Sequence, residues 1–127
     1  MTPEVEAAVK EVEQSFPGCR VEVEPDSDGG AFVVVWDVSV GPTYVPETVW
    51  VGFRITFQYP RADVYPHFFD PAIRRKDGNA LGEGFSNATD WRGRPVMQVS
   101  RRSNRLNPEV DTAATKLAKV LEWVRTK

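Results

Sequence analysis

Few side chains in this sequence of 127 residues could act as catalysts, and the two most reactive types each occur once, as Cys19 and His67. A catalytic cysteine reacts as its thiolate, and the neighbouring Arg20 could lower the pKa of the Cys19 thiol. No sequence signature of a catalytic cysteine surrounds this position, so we interpret Cys19 as structural or incidental. A chain with one thiol forms no internal disulfide, which is typical of a reducing compartment.

A second possible chemistry lies around His67, because Asp63 and Asp70 are close to it in sequence. A histidine between carboxylates can act as a general base in catalysis. The same three residues would make an incomplete metal site. The glycine-rich stretch 78–84 lacks the Lys-Ser/Thr ending of a phosphate-binding loop. We therefore interpret His67 as a loop or packing residue, and we predict neither a metal site nor a cofactor.

Hydrophobic periodicity predicts the elements that position these residues. A first helix is expected from Thr2, a good N-cap, through Pro3 at the first helical position, and it ends at Pro17–Gly18. Its apolar stripe consists of Val5, Val9, Val12 and Phe16. Alternating or Val-rich segments at 20–24, 31–40 and 48–59 predict three strands of an antiparallel meander. In the last of them one face carries Val49, Val51, Phe53, Ile55 and Phe57.

Residues 60–108 are rich in proline and glycine and predict a long irregular loop, with short strands possible at 67–73 and 96–100. A final helix is expected to begin at Asn107 as N-cap, with Pro108 in its first position. The sequence thus predicts a single α+β domain over residues 1–127. It would contain an N-terminal helix, a meander of about four strands, a long loop and a C-terminal helix.

The net charge is −2, but the charges are unevenly distributed along the chain. Residues 1–30 carry eight acidic and two basic side chains, whereas residues 74–105 carry eight basic and three acidic ones. Two solvated faces would explain this, and so would an electropositive region that contacts an acidic protein. The basic residues are not interleaved with aromatic ones, so we predict no nucleic-acid binding. No apolar run approaches the ~20 residues of a membrane span. We expect a cytoplasmic protein that does not bind membranes.

The order of elements resembles the ubiquitin-conjugating (E2) fold and its RWD relatives. Residues 65–71, Tyr-Pro-His-Phe-Phe-Asp-Pro, are similar to the Tyr-Pro-Phe-x-x-Pro segment that follows the third strand of that family. Residues 77–81 are similar to its Gly-x-x-Cys-Leu active-site stretch, and residues 91–95 to its Trp-x-Pro stretch with two extra residues. The nearest resemblance is to divergent bacterial E2-like proteins. It implies a UBC/RWD-like fold and a place in ubiquitin-like conjugation operons, some of which are linked to antiviral defence.

The resemblance also implies a departure from the family's chemistry. An E2 carries its ubiquitin-like cargo as a thioester, yet residues 60–127 contain no cysteine and Ala80 occupies the matching position. The family's oxyanion-stabilising Asn has no convincing counterpart, since Asn79 and Asn87 are only nearby amides. The chain is either a natural non-catalytic variant or a Cys→Ala change that silences a conjugating enzyme. Ser86 as an oxyester carrier is a weaker alternative, because a serine without a base is a poor nucleophile.

We therefore predict an E2-like protein without catalytic residues, which binds a ubiquitin-like protein or an E1-like activating enzyme in a hetero-complex. Aromatic and arginine side chains are common anchors of interfaces. The candidate partner-binding residues are Phe68, Phe69, Ala80, Phe85, Trp91, Arg92 and Arg94. Packing of these aromatic rings beneath the loop is the other interpretation. An E2 relative should fold residues 74–95 over the sheet edge, with Ala80 in a shallow groove. An RWD-like or unrelated α+β adaptor with no role in conjugation could leave this stretch mobile.

Overall fold

The computed structural model describes residues 1–127, apart from the side chain of Ala88. The helices are α1 (Pro3–Ser15) and α2 (Ala113–Arg125). The strands are β1 (Val21–Pro25), β2 (Ala31–Ser39), β3 (Tyr44–Val45), β4 (Thr48–Ile55), β5 (His67–Phe69), β6 (Arg74–Arg75), β7 (Phe85–Trp91) and β8 (Arg94–Val99). The α+β class predicted from the sequence is confirmed, with one helix at each end of the chain.

Helix α1 begins as its sequence predicts. The Thr2 hydroxyl accepts a hydrogen bond from the Val5 amide at 3.1 Å, and Pro3 occupies the first turn, where no amide donor is needed. Val5, Val9 and Val12 are buried along one face of the helix. The helix therefore packs by a narrow apolar stripe and leaves its acidic residues in solvent.

Six strands form one sheet in the order β1-β2-β4-β5-β8-β7, and each neighbouring pair is antiparallel. The first four strands of this order are the predicted meander, which is thereby confirmed. Strands β3 and β6 pair separately, with Tyr44 opposite Arg75. Both of these short strands are built from connecting segments, so they tie two loops together beside the main sheet.

The segment 60–108 differs from the irregular loop that the sequence predicts. It contains β5, β6 and the hairpin of β7 and β8, which extends the sheet to its far edge. The hairpin turn is Arg92–Gly93, with φ of 53° and 82° at these residues. Two consecutive positive φ angles are typical of the type I′ turn, whose twist matches that of a hairpin. Within the stretch 74–95, which was expected to fold over the sheet edge, residues 85–95 build that edge, while β6 pairs with β3 and residues 76–84 form a loop.

Two element boundaries were also predicted incorrectly. Strand β4 ends at Ile55, and Phe57, which was expected to share its buried face, lies in the following turn with half of its surface exposed. Helix α2 begins after Thr112 and not after Asn107. Thr112 and Thr115 form a reciprocal capping box, in which each side chain accepts from the backbone amide of the other residue.

The core lies on one face of the sheet, where α1 and α2 pack beside each other. It includes Val33, Phe53 and Phe69 from the strands, and Val12 and Leu117 from the helices. The opposite face of the sheet has no helix over it among the described elements. Neither of the two described helices has the length and apolar character required to cross a bilayer.

Candidate functional site

Ala80 lies exposed in the loop that connects β6 to β7. The loop is anchored on its N-terminal side, because β6 pairs with β3 and the Lys76 amide donates to the Thr43 carbonyl at 2.9 Å. Tyr44 of β3 is fully buried, and its hydroxyl donates to the Val124 carbonyl at 2.7 Å. The segment leading to Ala80 is therefore fixed to the end of α2.

Asp77 shapes the turn that precedes Ala80. Its carboxylate accepts a hydrogen bond from the Asn79 amide at 2.9 Å and pairs with the Arg75 guanidinium at 3.0 Å. The hydrogen bond from Arg75, together with that from Asn79, lowers the pKa of the Asp77 carboxyl. Gly78 between them has a φ of +79°, a conformation that glycine adopts without strain. The turn therefore has its own local stabilisation.

The C-terminal side of the loop is anchored as well. Leu81 packs against the core, and the Gly84 carbonyl accepts from the Ser100 amide at 2.8 Å. Phe85 stacks on Trp123 of α2 with ring centroids 5.4 Å apart. Ala80 thus occupies the exposed apex of a loop held at both ends. Its methyl group cannot form a bond to cargo, and none of the described cavities is lined by Ala80.

The thiol of Cys19 belongs to a different segment of the chain from this loop. It lies between α1 and β1, and its Sγ donates to the Asp37 carbonyl at 3.5 Å. Burial and the nearby Asp37 charge raise the pKa of the Cys19 thiol. Arg20 does not lower it, because its guanidinium pairs with Glu22 and lies over the Trp36 ring. A protonated thiol is a poor nucleophile.

The open face of the sheet carries a cluster of aromatic rings centred on Trp91. Its indole stacks on Phe68 with centroids 4.9 Å apart and an angle of 20°, and it meets Phe32 edge to face at 6.4 Å. The ring also covers Gly52 so closely that a Cβ there would overlap it. Trp36 and Trp50 continue the cluster, 6.4 Å apart. We call these residues the aromatic face: Phe32, Trp36, Trp50, Phe68 and Trp91.

Arginine side chains lie over the aromatic face. The Arg92 guanidinium is 4.0 Å from the Phe32 centroid and pairs with Glu24 at 2.7 Å. The Arg94 guanidinium is 5.4 Å from the Trp50 centroid, and in the described part of the chain no carboxylate pairs with it. Such stacking leaves the in-plane N–H groups of a guanidinium free to contact a partner.

The structure divides the predicted partner-binding residues into three groups. Phe68, Trp91, Arg92 and Arg94 meet on the open face of the sheet. Ala80 and Phe85 belong to the anchored loop beside α2. Phe69 is fully buried in the core, so its ring is not available at the surface, and Phe68 is only 8% exposed, so it mainly supports the Trp91 ring that stacks on it.

Sequence reasoning missed three members of the aromatic face, namely Phe32, Trp36 and Trp50. The alternation in β4 did place Trp50, Gly52 and Arg54 on one side of that strand. The same parity in β2 places Phe32 and Trp36 together, so the signal was present in the sequence. What the sequence could not supply is the pairing that brings these strands next to Trp91 of β7.

The residues around His67 do not form an acid–base site. His67 is fully buried, and Asp70 accepts a hydrogen bond from the Ala72 amide in a local turn. Asp63 binds Ser103 and Lys116 through hydrogen bonds of 2.7 to 3.1 Å. Among the residues that the structure describes, no three His, Cys, Asp or Glu side chains are grouped so that they could hold a metal ion.

Comparison with known proteins identifies the family. Residues 12–127 match the family model described as prokaryotic E2 family E. No curated protein and no solved structure matches the chain. The match covers nearly the whole chain, and the helix–sheet–helix order is consistent with a UBC-like fold. The chain therefore belongs to prokaryotic E2 family E.

Proposed function

We propose that this E2-like protein works in a bacterial ubiquitin-like conjugation pathway without carrying cargo as a thioester. It binds a ubiquitin-like protein or a conjugation enzyme in a hetero-complex. One observation carries the proposal: residues 60–127 contain no cysteine, and Ala80, which the resemblance matches to the family's cysteine, lies exposed in a loop held at both ends. We place it in the cytoplasm, because a chain with one cysteine forms no internal disulfide and suits a reducing compartment. Antiviral defence is one setting in which such operons act.

The state of the remaining thiol supports the proposal. Thioester exchange requires a thiolate that the donor enzyme can reach. Cys19 is only partly exposed, lies between α1 and β1, and has a raised pKa. Ser86 is exposed near the loop, but its hydroxyl has no hydrogen bond to a basic side chain in the described part of the chain. Neither residue has the environment of an activated nucleophile.

The aromatic face and the anchored loop supply the surfaces for a partner. Trp91 and Phe68 form a preorganised stack, and Arg94 has no carboxylate partner of its own among the described residues. Rigid aromatic rings flanked by arginine are frequent binding anchors, because they bury much area while losing little side-chain entropy. Arg94 would contact acidic groups at the rim of this surface, and Arg92 would do so by giving up its exposed partner Glu24.

Two alternatives remain distinct from this proposal. If Ala80 replaces a native cysteine, the natural protein is a conjugating transferase, and the same loop presents its thiol. If the fold serves only as an RWD-like adaptor, the protein binds partners that have no role in conjugation. The anchoring of the loop at β6 and at Phe85 supports the first alternative over a mobile adaptor loop.

The test is a loading assay with the cognate activating enzyme, ATP and the ubiquitin-like protein. The chain as given, Ala80→Cys and Cys19→Ser are analysed on gels with and without thiol reductant. We expect no reductant-sensitive adduct on the chain as given, but retained binding of a pathway protein in a pull-down.

Each other result has a defined meaning. An adduct on the chain as given that disappears in Cys19→Ser would refute the non-catalytic proposal. An adduct that appears only in Ala80→Cys would support a silenced enzyme, whereas none in that variant would support a natural non-catalytic protein. Absence of binding to every pathway protein would favour the unrelated adaptor.

A further inference from the structure

A cationic groove lies between helix α2 and the segment that follows β8. Its volume is about 490 Å³, a size typical of sites that hold a ligand. Its basic side chains are Arg101, Arg102, Arg105, Lys116 and Lys119. Asp111 is the one carboxylate among the described lining residues, and Trp123, which is partly exposed, adds apolar surface. We call this the cationic groove.

Two of its cations are already neutralised by the protein. Lys116 pairs with Asp63 at 3.1 Å, and Lys119 lies 3.6 Å from an Asp111 oxygen. Arg101, Arg102 and Arg105 are exposed, and within the described residues none of them has a carboxylate within 4.0 Å. The groove therefore carries three arginine charges for which the fold supplies no partner.

The segment that carries these arginines is fixed in place. Ser103 donates to Asp63 through its amide at 2.7 Å and through its hydroxyl at 2.8 Å. The Lys116 ammonium donates to the same Ser103 hydroxyl oxygen at 2.8 Å, which links the segment to α2. The guanidinium-bearing residues thus flank a backbone anchor, and less conformational entropy is lost when they bind.

Two of the arginines are also oriented by aromatic rings. The Arg101 guanidinium lies 4.8 Å from the Trp123 centroid, and that of Arg102 lies 4.4 Å from the Tyr65 centroid. A stacked guanidinium keeps its N–H donors in the plane and directs them away from the ring. This arrangement suits a carboxylate bound by two parallel hydrogen bonds.

We propose that the cationic groove binds an extended acidic segment of a partner protein. Carboxylates of the segment pair with Arg101, Arg102 and Arg105, and an apolar side chain of the segment packs against the partly exposed ring of Trp123. This interaction goes beyond the proposed function, because it requires neither a thioester nor the aromatic face. The ligand that we propose is therefore an acidic peptide that carries an apolar side chain.

The charge distribution favours a short acidic peptide over nucleic acid. The net charge of the whole chain is −2, which opposes the binding of a long polyanion such as nucleic acid. A small anion such as phosphate would leave the exposed part of the Trp123 ring uncovered. A short segment, in contrast, can satisfy the arginines and cover this surface together.

The probe for the test is a short fluorescein-labelled peptide rich in glutamate with one central leucine. A peptide with glutamine at every glutamate position is its control. Fluorescence anisotropy is measured at low and at physiological salt. We expect the acidic peptide alone to bind, with affinity that weakens as salt screens the charges. Replacing Arg101 and Arg105 by Gln should weaken binding by about tenfold or more.

A matched variant controls for the loss of overall charge. Arg61→Gln/Arg74→Gln removes two exposed arginines that lie outside the groove and have no carboxylate partner in the described structure, and it should leave binding unchanged. Equal loss in both double variants would overturn the proposal, and so would equal binding of the glutamine peptide. The proposal would also be overturned if inorganic phosphate or an oligothymidylate bound more tightly than the acidic peptide. Self-association through the groove, detected by sedimentation velocity, would overturn it as well.

Discussion

His67 is a buried neutral histidine whose environment opposes protonation. It is fully buried, and in the described part of the chain neither ring nitrogen has a hydrogen-bond partner. Burial, reinforced by the Lys116 charge and opposed by Asp63, lowers the pKa of His67 to about 3. The unfolded chain binds a proton below about pH 6.5. Stability is therefore complete above that pH and is lost as the pH falls.

We expect the free energy of unfolding to decrease by about 1.4 kcal/mol per pH unit below about pH 6. Urea unfolding followed by tryptophan fluorescence between about pH 7 and about pH 5 measures this slope. His67→Phe keeps a ring next to Phe53, whose centroid is 5.3 Å away, and removes the titrating group. The slope should be clearly smaller in this variant. Equal slopes in the two proteins would show that other groups cause the loss.

The start of α2 shows how local sequence signals compete at the level of an element. Asn107, Pro108 and the following acidic residues look like a helix N-terminus. In the structure they form a separate turn, in which the Asn107 side chain accepts from the Glu109 amide at 3.0 Å. The helix begins after Thr112, where the Tyr59 hydroxyl also accepts from the Ala113 amide at 3.1 Å. That tertiary contact is invisible in the local sequence.

The two candidate N-caps can be distinguished by substitution. Thr112→Ala removes a true cap and should lower the free energy of unfolding by about 1 kcal/mol. Asn107→Ala removes only an exposed turn contact and should cost less than about 0.5 kcal/mol. Urea unfolding of both variants at neutral pH gives the comparison. A larger loss for Asn107→Ala would mean that the helix extends to that residue in solution.

Other elements could be predicted where local sequence patterns alone determine them. α1 and the strands of the meander follow from periodicity, because each buries one face. The β7–β8 hairpin was missed because Arg92–Gly93 is an uncommon form of the type I′ pair, in which Asn-Gly is usual. Ala80 was placed in a loop correctly. Its anchoring through Tyr44 and Trp123 depends on contacts between distant parts of the chain.

At the scale of the whole molecule, the uneven distribution of charge was evident from the sequence. Which of these charged side chains pair with each other was not. Arg92 pairs with Glu24, and Lys116 pairs with Asp63, across long stretches of chain. The second pair joins the segment after β4, the segment after β8 and α2. Burial opposes ionisation of Asp63, but hydrogen bonds from Ser103 and Lys116 outweigh it and lower the pKa of this carboxyl.

The Asp63–Lys116 pair allows a test of how these segments are held together. Lys116 is 8% exposed, so Asp63→Asn would leave its ammonium buried without a counter-ion. We expect a loss of about 3 kcal/mol in the free energy of unfolding, because an unpaired buried charge is costly. The double variant Asp63→Asn/Lys116→Met removes both charges and should recover most of that loss. Urea unfolding of both single variants and the double variant yields their coupling energy.

The exposed pair Lys76–Glu47, with 47% and 59% of the side chains in solvent, is the matched control. Its coupling energy should not exceed about 1 kcal/mol, because water screens exposed charges. If the buried pair couples no more strongly than this one, Ser103 and the apolar contacts alone fix the segment after β8. In that event the orientation of the arginines in the cationic groove would not depend on Lys116. If the coupling is strong, loss of Asp63 should also weaken acidic-peptide binding, since the anchor at Ser103 is lost with it.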